Sequence, residues 1–288
     1  MTPELRGRVL AVVEGRGPLL VIADFDGTLA PITRDPSATR IDPLARRAMR
    51  RLARLAEARP DRLAVTVLSG RLAADVAGRV RVGGVRYLGN HGLEGGALPR
   101  RGRASALQVD VPGELAGLIP TVESVAARVS ALLGEPAWLF VEQKGPSVAF
   151  HFRQADDPDT AREAVLKALA AVEAEGGGVG LARFEGRMVV ELRPVDAGGK
   201  GAAVERLLSE LHPGAAIALG DDRTDAEAFA VLRGERDAGR IRALALGVDA
   251  GHEVPPEVVT AADVVLPSTR EAARVLSLVA RALQHEAG

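Results

Sequence analysis

Short apolar runs that end abruptly at polar residues constrain the fold of this chain more than any other feature. They are LLVIA at 19–23, LAVTVL at 63–68 and AAIAL at 215–219. Continuous apolar runs of this length are typical of strands buried on both faces, as in a parallel sheet. Helical patterns separate the runs, the clearest from Asp42 to Ala58, with apolar residues on one side and Arg on the other. This alternation predicts an α/β fold with a doubly wound parallel sheet.

The middle of the chain has a different pattern. It contains two predicted helices, at 114–133 and 159–175, and three alternating strands, at 138–144, 147–153 and 187–193. Alternation indicates a sheet with one dry face and one wet face, and here the wet face is charged. We therefore predict a smaller α/β domain at 103–197, inserted into a core formed by 1–102 and 198–288.

Composition excludes several classes of function. The net charge is −1, so nothing in the overall charge favours nucleic acid or an anionic membrane as a partner. The absence of cysteine excludes disulfides, thiolate metal sites and a Cys nucleophile. We expect no membrane span, because no apolar run approaches the ~20 residues that one needs, and no signal peptide, because the N-terminus lacks the pattern of a secretory signal. We expect a soluble, cytoplasmic protein.

Polar clusters follow the predicted strands, where α/β sheets place their sites. The first is DFDGTL at 24–29, where two carboxylates lie two residues apart at the end of the apolar run. An Asp-Gly turn is the plain alternative, but no hairpin pattern follows. We expect Asp24 to be a nucleophile towards phosphorus, and Asp26 to protonate the leaving oxygen and then to take a proton from water.

Three further clusters complete the pattern. Ser69, after the second run, can donate a hydrogen bond to a phosphoryl oxygen. Lys200, one of three lysines in the chain, lies between glycines at a helix start, where it can neutralise phosphate charge. The GDDRTD segment at 220–225 can form an all-oxygen Mg²⁺ site with Asp24. It can also cap the next helix through Thr224 or Asp225, and both roles are compatible.

These four clusters, in this order, resemble the motifs of the haloacid dehalogenase superfamily of phosphatases. Finer features are similar to trehalose-6-phosphate phosphatases: SGR at 69–71, GNHGLE at 89–94, VEQKGPSVAFHFR at 141–153 and VELRP at 190–194. The resemblance implies a Rossmann-like core with an inserted α/β cap. It also implies that Asp24, the backbone carbonyl of Asp26 and Asp221 bind Mg²⁺, with Asp225 in support. The Gly-Gly-Lys-Gly around Lys200, and Arg223 where an apolar residue is usual, depart from the family pattern.

The resemblance also points to a substrate site and a reaction. We expect the motif residues Thr28, Gly70, Arg71, Asn90, His91 and Glu94 to bind the substrate. The charged strand face, with Glu142, Lys144, His151, Arg153 and Glu191, would bind sugar hydroxyls as the cap closes over the core. A solvated face of ion pairs is the plain alternative.

The predicted reaction is hydrolysis of trehalose 6-phosphate through an aspartyl-phosphate on Asp24. The remaining alternatives are another sugar-phosphate phosphatase or a phosphosugar mutase of the same superfamily. A phospho-accepting signalling receiver is a third alternative, but such a domain has no need of an inserted cap.

Overall fold

The computed structural model describes residues 1–15, 17–33, 35–186, 188–195, 198–251 and 254–285. In chain order the strands are β1 (Leu19–Ala23), β2 (Leu63–Leu68), β3 (Val85–Gly89), β4 (Glu94–Leu98), β5 (Phe140–Lys144), β6 (Ser147–His151), β7 (Leu181–Gly186), β8 (Val189–Pro194), β9 (Ala215–Gly220), β10 (Arg242–Val248) and β11 (Val264–Leu266). The helices are α1 (Pro3–Val13), α2 (Pro43–Ala58), α3 (Ala73–Val80), α4 (Gly113–Ala116), α5 (Ile119–Leu133), α6 (Pro158–Ala174), α7 (Lys200–Leu211), α8 (Arg223–Asp237), α9 (Pro256–Ala261) and α10 (Thr269–His285).

The chain divides into two compact units, one formed by Met1–Asp110 with Gly199–Gly288, the other by Val111–Gly198. The predicted insertion began earlier, at 103, because nothing in the sequence marks the pairing of Asp110 with Gly95 across two backbone hydrogen bonds of 2.9 and 2.8 Å. Its predicted last residue, 197, and the first residue of its third predicted strand, 187, lie outside the described residues.

The sheet of the larger unit, within the described residues, has the order β11-β10-β9-β1-β2-β3-β4. Its strands pair in parallel except β4, which runs antiparallel to β3 at one edge. On β1, Leu19 and Val21 pack into a core with α1, α2, α3 and α10, whereas Leu20 and Ile22 pack into a second core with α7, α8 and α9. Burial of β1 on both faces is the reason that its sequence is continuously apolar.

The fold-class prediction of a doubly wound α/β core with a smaller α/β insertion is confirmed. The larger unit also contains three elements that the sequence did not predict, α1, β4 and α9. Strand β4 has the sequence EGGAL, and its two glycines hide the usual strand pattern. Gly96 cannot carry a side chain, since a Cβ there would lie 2.0 Å from the carbonyl oxygen of Gln108.

The smaller unit contains an antiparallel sheet of order β5-β6-β8-β7 within the described residues. One face packs on α5 and α6 through a core centred on Phe150 and Val165. The prediction of three strands was wrong, because β7 was missed. Its residues LARFEG are mostly exposed and carry too weak an alternation to be read as a strand.

The expectation that no apolar run approaches the length of a membrane span also needs correction. The helical stretch Gly113–Leu133 is long and apolar enough by length and composition. In the structure it forms α4 and α5, and α5 packs Val122, Val125 and Val129 into the core of the smaller unit. The core helix of a soluble protein passes the same test of length and composition.

We expect Phe150→Ala to lower the free energy of unfolding by about 3–5 kcal/mol, because the ring is fully buried and its loss leaves a cavity. Urea denaturation followed by the fluorescence of Trp138, the single tryptophan and a neighbour of this core, provides the measurement. Leu132→Ala, at a side chain that is 59% exposed on α5, is the matched control, with an expected change of less than about 0.5 kcal/mol. Equal losses in the two variants would contradict the assigned core.

Candidate active site

Asp24, Lys200, Asp221 and Asp225 form a buried group at the carboxyl ends of β1 and β9, which we call the acidic cluster. The Nζ atom of Lys200 donates hydrogen bonds to Oδ1 of Asp24 at 2.7 Å and to Oδ1 of Asp225 at 2.8 Å. Lys200 is only 1% exposed. Strands β1 and β9 are neighbours in the sheet, which brings together residues that are far apart in the sequence.

Burial and mutual repulsion determine the charge state of this cluster. Burial raises the pKa of Asp24 and of Asp225 well above their ordinary values, although Lys200 opposes the rise at both. Burial, followed by the charges of Asp225 and Asp222, raises the pKa of Asp221 to about 8. Burial alone would lower the pKa of Lys200, but the carboxylates of Asp222, Asp225 and Asp24 raise it well above its ordinary value. Without further positive charge, the carboxylates cannot all ionise at neutral pH.

The acidic cluster fits a divalent metal ion. Asp24, Asp221 and Asp225 each offer a carboxylate oxygen within 4.8 Å of the others, and oxygen ligands suit a hard cation. The backbone leaves room for them, because Gly27 has φ +72° and a Cβ there would lie 1.9 Å from Oδ2 of Asp221. The raised pKa values of these three carboxyl groups also favour a cation site, since a bound cation would stabilise the ionised carboxylates.

The start of α8 is capped differently from the expectation. Asp222, not Thr224 or Asp225, is the N-cap residue, and its Oδ1 accepts hydrogen bonds from the backbone N–H groups of Thr224 and Asp225 at 2.9 and 3.1 Å. Asp225 completes a capping box, because its Oδ2 accepts from the N–H groups of Asp221 and Asp222. Asp225 lies in the first turn of α8, three residues after the N-cap, and from there its side chain accepts a hydrogen bond from Lys200.

A second group contains Asp26, Ser69 and Arg71. Arg71 holds both carboxylate oxygens of Asp26, with Nε to Oδ2 at 2.6 Å and Nη2 to Oδ1 at 2.8 Å. The Oγ atom of Ser69, which is buried, accepts from the backbone N–H of Arg71 at 3.2 Å. The sequence reading missed the residue that continues this network, Asp75, which pairs with Arg71 and with Arg79. The spacing 71, 75, 79 is a helical signal that could have indicated it.

The GNHGLE segment packs beside this second group. Asn90 and His91 both adopt left-handed backbone conformations, with φ 51° and 59°, and their N–H groups donate to the carbonyls of Arg71 and Ser69. The His91 ring lies against Gly70, where an added Cβ would come within 2.8 Å of it. Glu94 reaches the start of α3, where its Oε1 accepts from the N–H of Ala73 at 2.7 Å.

Thr28 is fully buried, and its Oγ1 makes no hydrogen bond to any described residue.

The predicted sugar-binding residues of the smaller unit come together with one exception. On the sheet face opposite α5 and α6, Lys144 lies between Glu191, at 3.3 Å, and Glu142, at 3.7 Å. The Nε2 atom of His151 lies 2.9 Å from Oε2 of Glu142, and this hydrogen bond is the main cause of the lowered pKa of Glu142. Arg193, which was not among the predicted site residues, pairs with Glu191 at 2.5 Å.

We call Glu142, Lys144, His151, Glu191 and Arg193 the charged face. Arg153 does not belong to it, because β6 ends at His151 and Arg153 lies exposed in the turn that follows.

Comparison with known proteins gives consistent results. A sequence model of one family, described as trehalose-phosphatase, matches residues 22–254. A trehalose-phosphate phosphatase of Mycobacterium avium is 39% identical over 225 residues, covering 76% of this chain and 52% of that protein. One of Mycobacterium tuberculosis is 38% identical over 217 residues, covering 74% and 51%. This chain therefore spans about half the length of the curated relatives it matches.

Among solved structures, the C-terminal domain of Candida albicans trehalose-6-phosphate phosphatase has a TM-score of 0.70, with 22% identity and coverage of 96% of both chains. This likeness extends the fold assignment to both units.

We expect Asp221→Asn to stabilise the metal-free protein increasingly as the pH rises from 5 to 8. The folded-state pKa of Asp221, about 8, lies above its ordinary value of 3.8, so its contribution to stability is complete below pH ~4 and is lost as the pH rises through 8. Asn avoids this loss, and we expect a melting temperature higher by roughly 3–10 °C at pH 8. Thermal denaturation in EDTA at several pH values is the measurement.

Asp237→Asn, at an exposed position on the same helix, is the control and should show no such trend. A pH-independent effect of Asp221→Asn would mean that its carboxylate is already charged in the metal-free protein.

Proposed function

Because this chain belongs to the trehalose-phosphatase family, we propose that it hydrolyses trehalose 6-phosphate to trehalose and phosphate, in trehalose biosynthesis. The observation that carries the proposal is the buried Asp24 carboxylate, held by Lys200 among acidic groups that fit a metal ion. The curated relatives are named for this activity. A cytoplasmic location, where sugar phosphates are found, is part of the proposal.

In the proposed mechanism Asp24 is the nucleophile. Lys200 occupies its Oδ1, so we assign the attack on phosphorus to Oδ2. The P–O bond to the sugar breaks as the aspartyl-phosphate forms, and the leaving oxygen takes a proton from Asp26. Asp26 then accepts a proton from water, which attacks phosphorus and releases phosphate and the Asp24 carboxylate.

The neighbouring side chains would orient these groups. In the structure Arg71 donates hydrogen bonds to both carboxylate oxygens of Asp26, so Asp26 must leave this ion pair and take up a proton before it can protonate the leaving oxygen. Lys200 and the hydroxyl of Ser69 would contact phosphoryl oxygens. We assign Mg²⁺ binding to Asp24, the backbone carbonyl of Asp26 and Asp221, with Asp225 in support. When bound, Mg²⁺ supplies the positive charge that lets an anionic substrate approach the acidic cluster.

Substrate choice would come from the smaller unit. The groups around Asp24 would contact only the phosphate and the bridging oxygen, which every phosphomonoester shares. The charged face offers donors and acceptors of both kinds on neighbouring strands, which suits the hydroxyl groups of a neutral sugar.

The experiment that tests the proposal is phosphate release from a panel of sugar phosphates, with Mg²⁺ and with EDTA. We expect the highest kcat/KM for trehalose 6-phosphate and no turnover in EDTA. Preference for a different sugar phosphate would remove the trehalose assignment and keep the phosphatase. Full activity of metal-stripped protein would remove the metal assignment, and transfer of phosphate back to a sugar would indicate a mutase.

We expect Asp24→Asn to abolish turnover and to leave the fold intact, because an amide cannot form the acyl phosphate. Such roles carry several decades of rate, so the loss should exceed about a hundredfold. Phosphate release and circular dichroism are the measurements, with Asp237→Asn as control. Retained activity above about a hundredth of wild type would rule out Asp24 as nucleophile.

We expect Glu142→Ala and Lys144→Ala to lower kcat/KM for trehalose 6-phosphate by very roughly ten- to a hundredfold, because each loses a charged hydrogen-bonding group. The same changes should barely affect a small aryl phosphate. Glu185→Ala, which breaks an exposed pair with Arg162 elsewhere in the smaller unit, is the matched control. Equal losses on both substrates would mean that the charged face supports the fold and does not bind the sugar.

A further inference from the structure

We propose that Phe140 and Phe184 are sugar-stacking residues, which bind the apolar faces of pyranose rings at the two edges of the charged face. The inference rests on the proposed function and deepens it, because it adds an apolar component to sugar recognition. It is carried by the exposure of these rings, by their position on the sheet and by the contacts that fix each of them.

The first observation is exposure. The chain contains only eight aromatic residues, six of them Phe. Of those in the described part of the chain, Phe140 at 62% and Phe184 at 44% are the exposed ones. Both belong to the same sheet of the smaller unit. An exposed aromatic ring forgoes the favourable free energy of burial. Two such rings on one face of a sheet therefore indicate a binding surface.

The second observation is their register. Phe140 pairs with His151, and Phe184 pairs with Glu191, so both rings stand on the same side of the sheet as the charged face. Their strands, β5 and β7, are the outer strands of the sheet. Three strand spacings of about 4.8 Å separate them, on the order of 14 Å in all, which is enough for two pyranose rings between the aromatic edges.

The third observation is that a continuous line of contacts joins the two rings. The ring of Phe140 lies 5.6 Å from that of His151, and the guanidinium of Arg193 lies 4.9 Å from the centre of the Phe184 ring. Between them run the contacts of the charged face, from His151 to Glu142, Lys144, Glu191 and Arg193. Each ring therefore has a cationic or polar group on one side, which fixes its orientation.

Small residues lie beneath this line. Among the residues that share the face, Ser147, Ala149, Ala182 and Gly186 have short side chains or none. Ser147 and Ala149 are buried, so a ligand on this face would contact the charged side chains and the two rings, not these short residues. The arrangement combines flat apolar walls with alternating donors and acceptors between them.

The chemistry of this surface matches a pyranose in the glucose configuration. Its hydroxyl groups lie around the ring, where the charged face can donate and accept hydrogen bonds. Its two faces carry C–H groups, which pack against aromatic rings and exclude water. A phosphate group or a charged metabolite would not need the phenyl rings.

The test compares Phe140→Ala and Phe184→Ala with wild type on two substrates, trehalose 6-phosphate and glycerol 1-phosphate, which has no ring. We expect kcat/KM for trehalose 6-phosphate to fall about tenfold in each variant, chiefly through KM, with glycerol 1-phosphate unchanged. Phe→Tyr at either position should retain activity, and Phe→Leu should not. Leu132→Ala, at an exposed apolar position on α5, is the control and should match wild type.

Three outcomes would overturn the inference: parallel losses on both substrates, no loss on either, or full activity of the Leu variants. A second measurement separates this inference from the proposed function. Saturation-transfer NMR detects trehalose bound to the Asp24→Asn variant, with and without the Phe→Ala changes, and needs no turnover. We expect the transfer to the ring protons to be lost with either phenyl ring. Wild-type protein that hydrolyses no sugar phosphate would refute the proposed function, whereas unchanged transfer would refute the stacking role alone.

Discussion

The ion pairs of Lys200 are the interaction on which the active site depends. Its ammonium group joins Asp24 at the end of β1 to Asp225 in the first turn of α8, and so ties the central strand to the helix that follows its neighbour β9. One buried cation cannot neutralise the carboxylates around it, and burial, together with the charges of Asp225 and Asp222, raises the pKa of Asp221 to about 8. Protons or a metal ion must balance the remaining negative charge of the cluster. The repulsion that destabilises the metal-free cluster is therefore also the reason that it can bind a metal ion.

The charged face is organised in a different way. Its groups pair with one another on the sheet surface, in the order His151, Glu142, Lys144, Glu191 and Arg193. A neutral sugar can enter such a surface without changing its net charge, since each hydroxyl both donates and accepts. Discrimination then depends on geometry, and the strands that hold these side chains in register provide it.

The sequence predicted the larger unit well because its signals are local. An apolar run such as LLVIA indicates a doubly buried strand wherever it occurs, and Asp24 follows from the place where that run stops. The smaller unit was predicted less completely, because β7 is exposed and its pattern weak. Side-chain partners that are far apart in the sequence could not be predicted: Arg71 with Asp26, or Glu94 with the start of α3, depends on a fold that brings distant backbone together.

The sheet order has a consequence for folding during synthesis on the ribosome. Strand β1 lies between β2 and β9, and its pairing of Leu19 with Ala215 spans most of the chain. The whole of Val111–Gly198 is synthesised before β9 emerges, with its own sheet and its own core. The edge of β1 that pairs with β9 therefore stays unpaired until most of the chain has been synthesised. Closure of this long-range pairing places the larger unit among slowly folding topologies, with its centre assembled last.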